Sequence, residues 1–207
     1  MQDERVALIT NVHQELGLQI ARELAGEDFT VLLGSRELTR AEQAAGTISG
    51  DARALQLDVT DLASIAAAAV RIRRELGRLD VLVNNAVLSP TGAASAEELR
   101  TAFETNVFGM FAVTKVMLPL LQDTPEARVV SVPSAADADA RSVLDALYPD
   151  FQVALDAAAL AMTSELELSG IAVHTDLETL QLKLADRAID QTHARWPALE
   201  RSAAPST

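Results

Sequence analysis

Residues 77–86 read GRLDVLVNNA, and this stretch decides the fold. A glycine opens it, a short run of mostly apolar residues follows, and two asparagines come at its end. A continuous apolar run of this kind between turn-forming residues is typical of a strand buried on both faces, as in a parallel sheet. The stretch therefore predicts a strand near Val81–Asn84, with polar side chains where the strand ends.

Short β-branched runs alternate with longer helical stretches along the rest of the chain. The predicted strands lie near Val6–Thr10, Thr30–Gly34, Ala54–Asp58, Val81–Asn84, Arg128–Val132 and Ile171–His174. The predicted helices lie near Glu15–Ala25, Leu38–Ile48, Leu62–Glu75, Ala96–Leu121, Pro149–Leu168 and Leu177–Ile189. This alternation indicates an α/β fold, a doubly wound parallel sheet of about six strands in a three-layer αβα sandwich. We expect a single domain over residues 1–194 and a flexible tail over residues 195–207, which are rich in Pro, Ser and Ala.

Composition restricts the possible partners. The chain has 207 residues, of which 49% are hydrophobic and only 3% aromatic, so its core is built from Ala, Leu, Val and Ile. The formal net charge of -13 argues against nucleic acids and anionic membranes, which would repel the protein. Because there is no cysteine, disulfides, thiolate catalysis and cysteine-based zinc sites are excluded. The first residues lack a signal-peptide pattern and no apolar run is long enough to span a bilayer, so we expect a cytoplasmic protein.

At the expected strand ends the chain resembles the short-chain dehydrogenase/reductase family, from about Val6 to Asp176. The most specific piece of the resemblance combines LDVTD at residues 57–61 with the stretch at residues 77–86. The resemblance implies a Rossmann-like fold whose ligands bind outside the carboxyl ends of the strands, where the strand order reverses. It also implies a nicotinamide cofactor and a homodimer or homotetramer.

The phosphate-binding loop of the family, Thr-Gly-x-x-x-Gly-x-Gly, reads TNVHQELG at residues 10–17 here. Gly17 is kept, whereas Asn11 and Glu15 replace the other two glycines. Those glycines allow a backbone and a helix N-terminus to approach a pyrophosphate closely. Asn11 is able to adopt a left-handed conformation in place of glycine. A Glu15 carboxylate about 4 Å from a phosphate charge would cost roughly 4 kcal/mol, unless it turns into solvent and only favours the helix N-terminus.

Other cofactor positions match the family. Arg36, just past the second strand, corresponds to the residue that holds the 2′-phosphate in members that prefer NADP, although a solvated surface arginine is an equal alternative. Asp58 corresponds to the residue that receives the adenine amine. Asn85 belongs to an intact Asn-Asn-Ala, but Val87 replaces the glycine that follows it and brings a β-branched side chain toward the cofactor ribose.

The catalytic positions are only partly kept. Asn106 lies on an apolar helical stripe and matches the asparagine of the family's water-mediated proton relay; a structural asparagine that bends the helix is the alternative. Ser134 matches the serine that polarises the substrate carbonyl, and Tyr148 matches the acid/base. Gln152 replaces the family lysine, so it can hydrogen-bond the nicotinamide ribose but cannot lower the pKa of the tyrosine by its charge. Pro149 also disfavours a helical Tyr148.

Three functions fit these residues. The first is acid/base chemistry without a cofactor on a small molecule, such as cyclisation, isomerisation or dehydration, in the pocket that family members use for cofactor and substrate. In this hypothesis, His13 and Glu15 add ionisable groups to Ser134, Tyr148 and Asn106. In this hypothesis NADP binding is weakened or lost. The second is a divergent NADPH-dependent carbonyl reductase. The third is a non-catalytic interaction subunit. No metal site is predicted, because the three histidines are far apart in sequence.

Overall fold

The computed structural model describes residues 5–12, 15–85, 97–98, 101, 104–132 and 160–174. Its strands are β1 (Arg5–Ile9), β2 (Phe29–Ser35), β3 (Ala52–Gln56), β4 (Val81–Asn85), β5 (Arg128–Val132) and β6 (Ala172–His174). They form one sheet in the order β3-β2-β1-β4-β5-β6, and every neighbouring pair is parallel. The predicted doubly wound α/β fold is therefore confirmed. The strand order reverses between β1 and β4, which opens a crevice at the carboxyl edge of the sheet.

The helices are α1 (Glu15–Gly26), α2 (Leu38–Ala45), α3 (Leu62–Glu75), α4 (Met110–Gln122) and α5, which covers residues 160–168. A π-helical turn, Glu104–Gly109, directly precedes α4. Side chains from α1 and α2 share one apolar cluster with one face of the sheet, and side chains from α3, α4 and α5 share a second cluster with the other face. Within the described ranges, no helix is long and apolar enough to cross a membrane.

Alternation along the strands supplies both clusters. In β4, Val81 and Val83 belong to the cluster under α1 and α2, whereas Leu82 belongs to the cluster under α3 to α5. All three are at most 3% exposed. Because successive side chains of a strand point to opposite faces, Asn84 lies on the α4 face and Asn85 on the α1 face. The apolar run within residues 77–86 therefore belongs to a strand that helices cover on both faces.

Three boundaries differ from the sequence-based prediction. The third strand runs from Ala52 to Gln56 rather than from Ala54 to Asp58. Asp58 leaves the strand because its Oδ1 accepts hydrogen bonds from the backbone N–H of Thr60, at 3.0 Å, and from the hydroxyl of Thr60, at 2.7 Å. The second helix ends at Ala45 instead of Ile48. The predicted continuous helix Ala96–Leu121 contains the π-helical turn, and residues 195–207 lie outside the described part of the chain.

Asp80 joins three strands at the amino edge of the sheet through its buried carboxylate and its backbone. Its Oδ2 accepts from the backbone N–H of Val6 at 2.7 Å, and its own N–H donates to the carbonyl of Val6 at 2.8 Å. The backbone N–H of Arg128 donates to the carbonyl of Asp80 at 2.9 Å. The guanidinium of Arg78 donates to both carboxylate oxygens, at 2.6 Å and 3.0 Å. Asp80 thereby sets the relative positions of β1, β4 and β5.

Replacing Asp80 by alanine is expected to lower the free energy of unfolding by about 2–4 kcal/mol, because the Val6 amide and the Arg78 guanidinium lose a buried partner. Urea denaturation measures the loss. Asp123→Ala is the matched control, since it breaks a carboxylate–arginine pair with Arg73 whose side chains are 59% and 45% exposed. That change should cost less than about 1 kcal/mol. Equal losses for the two variants would contradict the role of Asp80.

Candidate functional site

The crevice between β1 and β4 is held together by two asparagines. The side-chain amide of Asn11 donates to the carbonyl of Asn85 at 3.1 Å, and the side-chain amide of Asn85 donates to the carbonyl of Asn11 at 3.0 Å. The hydroxyl of Thr10 accepts from the backbone N–H of Asn85 at 3.0 Å. These three hydrogen bonds tie the loop after β1 to the end of β4. Thr10 is the first residue of the loop motif but is not among the site residues that the sequence predicts.

Asn11 occupies the left-handed conformation that the sequence predicts for it, with φ of 55°. Asparagine tolerates this region far better than most residues with a β-carbon. The loop therefore keeps the backbone turn that glycine provides in the family pattern. The backbone N–H of Val12 then donates to the carbonyl of Gly34 at 3.2 Å, which links the loop to β2 as well.

Gly17 allows α1 to pack directly against this pair of asparagines. A β-carbon at Gly17 would lie 2.9 Å from the side-chain nitrogen of Asn85 and 3.3 Å from the α-carbon of Val12. Such approaches are too close for any side chain without movement of the loop. The helix N-terminus, which begins at Glu15, is thereby brought close to the crevice, where its free N–H groups favour an anion.

A second, open cleft of about 490 Å³ lies at the ends of β2 and β3. The residues that line it come from both strand ends, α2 and α3: Arg36, Leu38, Leu55, Gln56, Asp58, Asp61, Ser64, Ala67, Ala68 and Arg71. Arg36 is exposed, and no hydrogen bond or ion pair joins it to any residue that the structure describes. The hydroxyl of Ser64 accepts from the backbone N–H of Asp58 at 2.9 Å, which keeps this aspartate at the mouth of the cleft.

Asn106 lies within the π-helical turn before α4 and is partly buried. A π-helical turn inserts one extra residue into a helix and occurs frequently at functional sites. Gly109 closes the turn against the loop after β3, because a β-carbon there would meet the side chain of Val59 at 2.9 Å and its carbonyl oxygen at 3.0 Å. The turn is therefore packed next to Asp58, whose neighbour in the chain is Val59.

The structure brings the predicted cofactor residues to one edge of the sheet. Asn11, Gly17 and Asn85 meet in the crevice, while Arg36 and Asp58 line the adjacent cleft. The described residues do not include four of the predicted catalytic residues, nor the side chain of Glu15; these four are His13, Ser134, Tyr148 and Gln152. Their roles stay predictions. Among the described residues, no group of three His, Asp or Glu side chains is arranged to hold a metal ion.

A family model matches residues 5–175, and its description is short chain dehydrogenase. The matched range contains both the crevice and the cleft. The chain belongs to the short-chain dehydrogenase family.

Three similar proteins illustrate the family relationship. Galactitol 2-dehydrogenase from Agrobacterium fabrum is 28% identical over 202 residues, which covers 96% of this chain and 78% of that protein. Human carbonyl reductase [NADPH] 1 is 38% identical over 141 residues, which covers 62% of this chain and 48% of that protein. The crystal structure of 3-ketoacyl-(acyl-carrier-protein) reductase from Brucella melitensis, complexed with NADH, has a TM-score of 0.68 at 27% identity and covers 84% of this chain and 75% of that chain. The chain thus spans about half the length of the human carbonyl reductase.

These relationships contradict the first functional hypothesis. The similar proteins are named as a dehydrogenase and as reductases, and one was crystallised with NADH. The prediction of cofactor-independent acid/base chemistry is therefore wrong, and the relationships do not support a non-catalytic interaction subunit. The hypothesis rested on the departures at Val87 and Gln152 as well as on the two glycines that Asn11 and Glu15 replace. The geometry shows that Asn11 takes the conformation of one of them and that Gly17, the one kept, lies at the closest approach.

Replacing Gly17 by alanine is expected to destabilise the protein by about 1–3 kcal/mol, since the new methyl group displaces Asn85 and breaks its bond to Asn11. Thermal and urea unfolding measure the change. Gly26→Ala, at the other end of the same helix, is the matched control, because nothing lies within 4 Å of its β-carbon position. The control should be neutral or stabilising by up to about 1 kcal/mol. A Gly17→Ala protein as stable as the Gly26→Ala protein would contradict the close packing.

Proposed function

We propose that this protein is a divergent NADPH-dependent carbonyl reductase. The observation that carries the proposal is the crevice at the carboxyl edge, where Asn11, Asn85 and Gly17 keep the backbone arrangement that a dinucleotide needs. Ligands of doubly wound sheets bind at this point of the topology. The relatives named above support the reaction class, because they are named as dehydrogenases and reductases.

The residues of the crevice fit a pyrophosphate. Asn11 in the left-handed conformation turns the loop away, and Gly17 has no side chain between the loop and the start of α1. Gly17 thereby lets the start of α1 pack against the loop, so the backbone N–H groups of the first helical turn lie beside the crevice and favour a phosphate there. A carboxylate at Glu15 opposes the anion, so we expect weaker cofactor binding than in a relative with glycine at this position.

The cleft at the ends of β2 and β3 fits the adenosine end of the same cofactor. Arg36 lies exposed at its edge, and no described residue competes for its guanidinium by a hydrogen bond or ion pair. A guanidinium binds a phosphate through several N–H groups, and this preference favours NADPH, with its 2′-phosphate, over NADH. Asp58 can accept a hydrogen bond from the adenine amine, as the family resemblance implies.

In this proposal the catalytic residues act on a carbonyl substrate. Bound NADPH supplies the hydride. Ser134 donates a hydrogen bond to the carbonyl oxygen and polarises it, and Tyr148 donates its phenolic proton to the same oxygen. Gln152 hydrogen-bonds the ribose but carries no charge, so the pKa of Tyr148 lacks the cationic influence that lysine exerts in the family. A neutral, protonated tyrosine suits reduction, in which it gives a proton away. Cytoplasmic location and a homo-oligomer stay predictions.

Arg36→Ala is expected to weaken NADPH binding about tenfold or more and to leave NADH binding unchanged, because only NADPH carries the 2′-phosphate. Calorimetric titration of the wild-type protein and the variant with both cofactors measures this. Arg40→Ala is the matched control, since this nearby arginine pairs with Glu37 and does not line the cleft. If the wild-type protein binds neither cofactor at millimolar concentration, the proposed reductase function is overturned.

Tyr148→Phe is expected to reduce carbonyl turnover at least about a hundredfold while the affinity for NADPH stays the same, because only the proton donor is lost. NADPH oxidation with a panel of aldehydes and ketones is followed by the loss of absorbance at 340 nm, roughly the absorption maximum of the reduced nicotinamide. A variant that reduces the best wild-type substrate at an unchanged rate would show that Tyr148 is not the acid.

A further inference from the structure

A polar contact interrupts the apolar interface between the sheet and α4. The inward side of α4 consists mainly of apolar residues that are at most 2% exposed: Val113, Met117, Leu120 and Leu121. Thr114 lies among them at 1% exposure, and Asn84 of β4 faces it at 5% exposure. The side-chain nitrogen of Asn84 donates to the hydroxyl oxygen of Thr114 at 3.1 Å.

A second polar contact lies beside the first. Ser131 of β5 is the register partner of Asn84 in the neighbouring strand, and its hydroxyl donates to the sulfur of Met110 at 3.4 Å. Met110 is the first residue of α4, and Thr114 lies one turn further along. We call the four residues Asn84, Thr114, Ser131 and Met110 the polar latch.

Stability alone does not explain Asn84. The side-chain carbonyl oxygen of this residue is buried, and none of the residues that the structure describes donates a hydrogen bond to it. A buried acceptor without a donor costs free energy, and an apolar side chain of similar size avoids that cost. Leu82, on the same face of the same strand, is such a side chain and is fully buried. The asparagine at this position is therefore better explained by the hydrogen bond that its side-chain nitrogen donates to Thr114.

The polar latch adjoins the π-helical turn that contains Asn106, because Met110 directly follows Gly109, the last residue of the turn. Apolar contacts are non-directional, so they bury the α4 face without fixing the position of the helix along its axis. A hydrogen bond between two buried side chains is directional and does fix it. With Thr114 and Met110 held on the sheet and Gly109 packed on Val59, the extra residue of the π-helical turn is confined to Glu104–Gly109.

We propose that Asn84 is a positioning residue: through Thr114 it sets where α4 begins and thereby holds the π-helical turn that presents Asn106 to the active site. This role rests on the proposed function for its effect on turnover. Its structural part, the coupling of Asn84 and Thr114 to residues 104–109, does not depend on any reaction.

Two substitutions that remove the contact test the proposal. Asn84→Leu and Thr114→Val are each expected to raise amide hydrogen exchange of residues 104–109 about tenfold while exchange in the rest of the described sheet stays the same. Asn84→Leu also removes the unpaired acceptor, so its midpoint of thermal unfolding should be no lower than that of the wild-type protein. Carbonyl turnover is expected to fall about tenfold with the dissociation constant of NADPH within twofold of the wild-type value. Thr114→Ser keeps the hydroxyl and should restore both exchange and turnover.

Thr124→Val is the matched control. Thr124 is buried near the other end of α4, but its hydroxyl donates to the carbonyl of Leu120 at 3.0 Å and not to the sheet. This variant should leave exchange of residues 104–109 unchanged. The positioning role is overturned if Thr114→Val leaves that exchange unchanged, if Thr124→Val raises it equally, or if Thr114→Ser fails to restore it. If the wild-type protein binds no NADPH, only the proposed reductase function is overturned. The exchange measurement still tests whether Asn84 and Thr114 are coupled to residues 104–109.

Discussion

The paired amide hydrogen bonds between Asn11 and Asn85 are the constraint on which the functional edge of this protein depends. They join the loop after β1 to the end of β4 where the strand order reverses. Each asparagine donates to the backbone carbonyl of the other, so the two bonds hold the same two segments together. Gly17 and the start of α1 take their positions from this pair, since a β-carbon at Gly17 would strike the Asn85 amide. The crevice is therefore a property of three contacts rather than of a glycine-rich sequence.

The same constraint explains why the loss of a glycine from the loop motif does not by itself indicate a changed function. Asn11 replaces a glycine of the family pattern, yet its φ of 55° provides the turn that the glycine is needed for. In the proposed reductase, the other departures, at Glu15, Val87 and Gln152, are expected to change the strength of cofactor binding without changing the kind of reaction. The proposed role of Arg36 gains weight in a chain with a net charge of -13, because a cation at an acidic surface is what an anionic cofactor would need.

The two faces of the sheet use polar groups differently. On the α1 face, the side-chain amides of Asn11 and Asn85 each donate to the backbone carbonyl of the other residue. On the α4 face, Asn84 donates to a buried helix residue, and no described residue donates to its side-chain carbonyl oxygen. The neighbouring residues Asn84 and Asn85 therefore act on opposite layers, because alternate side chains of a strand point to opposite faces. Asn85 contacts the loop after β1, and Asn84 contacts the helix that follows the π-helical turn with Asn106.

Local sequence pattern determined the parallel α/β fold, five of the six strands to within about one residue, and the left-handed Asn11, because burial periodicity and intrinsic backbone preference are local properties. Tertiary structure decided the rest. The exit of Asp58 from its strand and the π-helical turn at Glu104–Gly109 depend on hydrogen bonds and close packing that periodicity does not report. The contact between Asn84 and Thr114 joins residues 30 positions apart, and the opposition of Asn11 and Asn85 joins residues 74 positions apart. A pattern shows which side chains are buried, but only the folded chain decides which polar groups they meet.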